Sequence, residues 1–243
     1  MIAELAREEI GAALDGLVVG LLSEEGIVEP PVDTVDLARR LGMTVAADDR
    51  QPGRGRLVRF GDGRAARHAA IVVRPEPRRE RLHWTVAHEI GETQVERLFQ
   101  SLSIDPREID ANAREQFANH IAGRLLLPTS WFETIAKQSD WDLLALKAAF
   151  ETASHELVAR RMLDFSPPVV ITIYDHGRQT LRLGNLPGGS PAVMPIEREC
   201  WRAAHETGEI GGGESEVCSV RAWPIHEAGW KREILRSAFC EID

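Results

Sequence analysis

The chain has 243 residues, 43% of them hydrophobic, with 29 basic against 38 acidic side chains and a formal net charge of −9. That length supplies a core of its own in one large domain or two small ones, and the mixed composition excludes a fibrous or wholly disordered protein. The acidic balance holds on both sides of Ser166, which argues against a nucleic-acid binder working through bulk charge. The three cysteines lack CxxC spacing, so they give no zinc-ribbon signal and fit a reducing compartment. The apolar run 17–22 follows residues of mixed charge with no small-residue cleavage site after it, and no stretch reaches the ~20 apolar residues of a membrane span. A cytoplasmic soluble protein with no membrane partner is expected.

In chain order, apolar residues from Ile2 to Leu21 recur at helical spacing and predict a first helix ending near Gly26. Pro30-Pro31 breaks the chain, and Asp33 or Thr34 caps a short helix through Leu41 that Gly42 closes. Segments 43–46, 57–60 and 69–73 read as strands, and the Arg- and Gly-rich stretch 48–67 as a surface loop or hairpin. Two long helices are expected over 78–99 and 108–126, the second stopped by Pro128, with two or three more within 129–163. Ser166-Pro167-Pro168 is the sharpest boundary, giving domains 1–165 and 166–243. Beyond it come strands at 169–174, 180–183 and 216–222, short helices at 197–205 and 231–238, and a Gly211-Gly212-Gly213 loop. The fold class is α+β: a helical domain with a small N-terminal sheet, then a small α+β domain.

The chemistry concentrates on the two long helices. His88-Glu89-Ile90-Gly91-Glu92 sets positions 88 and 92 four apart, on one helical face. It resembles the zincin motif, in which ligands at i and i+4 hold zinc and the Glu after the first activates water, except that Glu92 stands where that motif has His. Alone this is a weak signal, because the chain has four His-Glu dipeptides and a second HExxE spelling at His205–Glu209. That copy runs into Gly211-Gly212-Gly213 and has no partner helix, so it is not expected to hold metal. The second long helix supports the first copy: Glu115 and Asn119 share a face while Phe117, Ile121 and Leu125 form a core stripe. A carboxylate from that helix completes a three-ligand site with a position open to water.

With these residues the chain resembles the ImmA/IrrE family of metallo-endopeptidases. Three segments carry the match: Pro31-Val32-Asp33 with Leu37–Gly42; Trp84-Thr85-Val86-Ala87-His88-Glu89-Ile90-Gly91; and Glu115, Ala118-Asn119, Ala122 and Leu125-Leu126-Leu127-Pro128. The resemblance covers about 30–165 and implies a zincin-like peptidase fold, with His88 and Glu115 as metal ligands and Glu89 as general base. Glu92 departs from the family's usual His. A glutamate oxygen reaches about as far as an imidazole Nε2, so Glu92 can ligate, another group or water can replace it, or the site has lost its metal. Zinc is the first expectation, and the oxygen-rich donor set also favours manganese. Asn119 is placed to support the ligands.

Other residues rank lower. His83 lies five before His88 and should face elsewhere, as should His120, five after Glu115; the alternative role for His120 is to stabilise an oxyanion. A metzincin third ligand would fall on Leu98, which excludes that class. Residues 141–165 resemble a helix–turn–helix-like element without net basic charge, so direct DNA binding is not expected. The resemblance implies cleavage of a helix–turn–helix transcriptional repressor in a stress or phage-type response, with strand 69–73 holding the substrate by β-addition. The alternative is a catalytically retired, peptidase-like binding protein that recognises a repressor or small signal. The C-terminal portion has the size and texture of a sensor domain.

Overall fold

The computed structural model describes residues 7–60, 68–165 and 167–239. The fold is α+β, and the chain divides into two compact units: residues up to Gln138 with Lys147–Ser154, and Ser139–Leu146 with the chain from His155 onward.

The first unit begins with helix α1 (Arg7–Glu24); the part of the expected helix before Arg7 lies outside the described residues. Helix α2 (Thr34–Arg40) starts where the Asp33 carboxylate accepts from the Val35 and Asp36 amides, and left-handed Gly42 follows it. Strands β1 (Met43–Ala47), β2 (Gly55–Phe60) and β3 (His68–Val73) form a sheet of order β1-β3-β2. β1 runs parallel to β3 with Val45 opposite Ile71, and β2 runs antiparallel with Leu57 opposite the same residue. The stretch 48–67 therefore contains strand β2; residues 61–67 lie outside the described set.

Helix α3 (Arg79–Ser101) is the spine of this unit. Its Val86, Ile90, Val95 and Leu98 meet Leu14, Leu17 and Leu21 of α1, Leu37 of α2 and Ile71 of β3 in one core. Helix α4 (Ala111–Leu126) adds Phe117, Ile121 and Leu125, and its N-terminus is capped by Asp110, whose carboxylate accepts from the Ala113 amide. Phe117 meets Phe99 edge-to-face with ring centroids 5.3 Å apart. Three helices fill the rest of the helical stretch: α5 (Thr129–Gln138), α6 (Leu143–Ala149) and α7 (His155–Arg161).

In the second unit, strands β4 (Val169–Asp175), β5 (Arg178–Gly184), β6 (Gly211–Glu214), β7 (Cys218–Glu227) and β8 (Trp230–Phe239) make an antiparallel sheet of order β5-β4-β8-β7-β6. Helix α8 (Pro195–Thr207) lies on one face, burying Cys200 and Ala204 with Val220, Ala222 and Leu235.

Two sequence expectations are corrected here. Residues 231–238 are strand, not helix: β8 is the middle strand, and Glu233–Ser237 are all buried. A strand covered on both faces loses the period-two alternation that betrays a half-buried one, and here buried Glu233, Arg236 and Ser237 remove what hydrophobic pattern remains. Gly211-Gly212-Gly213 is not a loop but edge strand β6. A Cβ on Gly213 would stand 2.7 Å from Ile196 Cδ1, and one on Gly211 would stand 2.8 Å from the Cys200 carbonyl oxygen. Glycine there lets α8 lie close against the sheet.

Candidate metal centre

The site is built where α3 and α4 touch. A Cβ on Gly91 would lie 2.6 Å from the Ala118 carbonyl oxygen, so only glycine permits this close crossing. His88 lies three residues before Gly91 and Glu115 three before Ala118, and the crossing brings these two side chains together. His88 Nε2 stands 3.4 Å from Glu92 Oε1 and 3.6 Å from Glu115 Oε2, and one donor atom from each of the three lies within 4.8 Å of the others. Ligands about 2.0–2.1 Å from a tetrahedral ion lie ~3.3–3.4 Å apart, so the two His88 separations already match to within a few tenths of an ångström, and the two carboxylates, within 4.8 Å of each other, close by a side-chain rotation. The donor set also fits: two carboxylates and a neutral imidazole balance the charge of a divalent ion.

Asn119 occupies the supporting position. Its Oδ1 lies 3.1 Å from His88 Nδ1, and its Nδ2 donates to Glu115 Oε1 at 3.4 Å. The first contact presents Nε2, rather than Nδ1, to Glu92 and Glu115.

Glu89, next to His88 on α3, is 5% exposed. Burial, then the negative charge of Glu92, pushes its carboxyl up to about 7, while His88 and a hydrogen bond from the Leu57 amide pull it down. That amide belongs to β2, which passes so close that a Cβ on Gly55 would stand 2.5 Å from Thr85 Cγ2 and 2.7 Å from Glu89 Oε1. Motif reading passed over Gly55 and quoted Gly91 without its packing role, since a glycine's contribution here is the neighbour it lets in. The available signal was a glycine in the middle of a long helical pattern.

Strand β3, expected to carry an extended substrate, lies between β1 and β2 and has both edges paired. The edge beside Glu89 is that of β2. His83 is buried, as its position off the site face suggested, with Thr34 Oγ1 3.1 Å from its Nδ1 and donating to its carbonyl oxygen. His120 is exposed on α4. The second HExxE copy does not act as a helical motif: α8 ends at Thr207 and left-handed Gly208 follows. His205 instead meets His226 and Glu233, residues that no helix spacing connects.

The IrrE N-terminal-like domain model, Peptidase_M78, matches residues 38–163. No curated protein matches the chain. Among solved structures, a Mycobacterium tuberculosis transcriptional regulator is similar at 18% identity with a TM-score of 0.63, over 93% of this chain and 75% of that one. At that identity the likeness concerns the fold alone. No helix among the described residues is long and apolar enough to cross a membrane.

Proposed function

Because the chain belongs to the Peptidase_M78 family of IrrE N-terminal-like domains, we propose that it is a metal-dependent endopeptidase acting on a protein substrate, with His88, Glu92 and Glu115 as ligands and Glu89 as general base. The observation that carries this reading is the convergence of those three side chains beside a buried carboxylate on the same helix. A divalent ion there, zinc by preference and manganese as second choice, supplies Lewis acidity that polarises a peptide carbonyl and acidifies water. Glu89 takes the proton from the attacking water and returns it to the departing amide nitrogen; its raised carboxyl range suits both halves of that exchange. Asn119 holds the His88 ring in orientation. The β2 edge beside Glu89 offers main-chain hydrogen bonds to an extended substrate segment.

The substrate class that accompanies this family reading is a helix–turn–helix transcriptional repressor, cleaved in a stress or phage-type regulatory response in the cytoplasm. The proposed peptidase domain is residues 1–165, including the helix–turn–helix-like segment 141–165 of which 141–146 and 155–165 belong to the second compact unit, and the proposed sensor-like domain is 166–243. One observation favours a second reading, a retired peptidase that binds a repressor without cutting it: Glu92 supplies a carboxylate where the motif has imidazole, leaving water less acidified. Incubating the zinc-loaded full-length protein with a panel of helix–turn–helix repressors separates the two. Cleavage by wild type that Glu89→Gln abolishes, with metal content and melting temperature kept, supports the enzyme. Binding without cleavage supports the second reading, and equal cleavage by wild type and Glu89→Gln removes Glu89 from its role.

A further inference from the structure

We propose that His205, His226 and Glu233 form a second site for a divalent transition-metal ion, built wholly within the C-terminal unit. The three residues come from three elements: His205 from the last turn of α8, His226 from β7 and Glu233 from β8. Sheet register brings the strand residues together, since β7 and β8 form a hairpin in which His226 pairs with Lys231, two residues from Glu233 on the same face. Glu233 Oε1 stands 3.0 Å from His205 Nδ1 and 2.6 Å from His226 Nε2, and one donor atom of each residue lies within 4.8 Å of the others.

Glu233 is completely buried. A carboxylate in that position needs compensation, and its contacts are two imidazoles and the indole of Trp201, whose Nε1 donates to Oε2 at 3.2 Å. The indole occupies one carboxylate oxygen and leaves Oε1 to face both histidines, the arrangement of a carboxylate ligating through one oxygen with its other held by a neighbour. Trp201 is itself fixed by stacking on Tyr174, with centroids 4.8 Å apart, and on His205 at 5.5 Å. The Lys231 ammonium donates to the His205 carbonyl oxygen and ties down the end of α8.

The histidine side chains are 30% and 22% exposed, so an ion enters from solvent past the two rings and keeps its outer positions on water. Ligands at ~2.0–2.1 Å from an ion stand ~3.3 Å apart, which the His205 pair nearly meets and the His226 pair reaches by a small turn of its ring. Two imidazoles with one carboxylate select zinc, nickel, cobalt or iron over magnesium and calcium, which prefer oxygen alone.

The test is metal titration of the full-length chain with the first site disabled by His88→Ala. This variant should bind one Zn(II) or Co(II) per chain and no Mg(II). Adding His226→Gln, or separately His205→Asn, should weaken that binding at least tenfold and abolish the Co(II) ligand-field absorption, with the cooperative melt retained. The proposal is overturned if His88→Ala binds no zinc, or if its remaining affinity is within threefold unchanged in both double variants. The His205→Asn arm, at the more exposed ring, answers the question should His226→Gln fail to fold.

Discussion

Gly91→Ala perturbs the helix crossing without touching a donor atom. The added Cβ would sit 2.6 Å from the Ala118 carbonyl oxygen, 3.3 Å from its carbon and 3.4 Å from its Cα. All three are backbone atoms of α4, so no side chain can swing aside, and the helices must part by roughly 0.8 Å to reach ordinary contact. Overpacking of this kind costs ~1–3 kcal/mol, against which alanine's better helix propensity returns up to ~1 kcal/mol. A net loss of about 1–2 kcal/mol, or a few degrees of melting temperature, is expected. The same parting separates His88 and Glu92 on α3 from Glu115 on α4. Ligand bonds tolerate only ~0.2 Å, so zinc affinity should fall at least tenfold. Gly123→Ala is the control: it lies in α4 with nothing within 4 Å of its would-be Cβ, and should stabilise by ~0.5–1 kcal/mol without changing metal affinity. Thermal melts and zinc titrations of both variants decide the matter. A Gly91→Ala protein as stable as Gly123→Ala, or with wild-type zinc affinity, would refute the close crossing as the device that assembles the site.

Glu92→His should raise zinc affinity, because zinc favours an imidazole nitrogen over a carboxylate oxygen, and should raise the rate of any cleavage, because a net positive site acidifies water more strongly; Glu92→Ala should cut affinity severely, and unchanged titration of that variant would remove Glu92 from the site. In the second unit, Arg182 clamps the wholly buried Glu197 with two bonds of 3.0 Å, and Glu197 also accepts from Ser237 Oγ at 2.5 Å. Arg182→Met strands that carboxylate and should cost ~3–5 kcal/mol in chemical denaturation; a loss under about 1 kcal/mol would contradict the pairing. Burial holds the His83 imidazole below its ordinary range. The unfolded chain then binds the extra proton first, so this contribution to stability is complete above about pH 6.5 and is lost as pH falls below it. Denaturation midpoints from pH 5 to 8 should show this acid slope, and His83→Gln should flatten it.

The first unit was readable because its signals are local. Asp33 and Pro128 mark helix ends by cap and breaker chemistry, and four-residue spacing places His88 and Glu92 on one face. Glu115 was reachable as a carboxylate on the next amphipathic helix, yet the contact that delivers it depends on Gly91 and Ala118, which carry no chemistry to notice. The second unit was harder to read because its signals are not local. β8 is buried on both faces and so lacks the alternation of a half-buried strand, and β6 is three glycines and a glutamate shaped by a helix lying over them. The cluster of His205, His226 and Glu233 rests on sheet register, which spacing along the chain does not encode.

His88, Glu92 and Glu115 are proposed to hold one divalent ion beside Glu89. The most direct measurement is anomalous diffraction at the zinc edge from crystals of the full-length protein grown with zinc. A peak is expected ~2.0–2.2 Å from His88 Nε2 and from one carboxylate oxygen each of Glu92 and Glu115, with Glu89 outside bonding distance but within reach of a water on the ion. An empty site at full zinc saturation, or an ion bound with Glu92 turned to solvent, would contradict it.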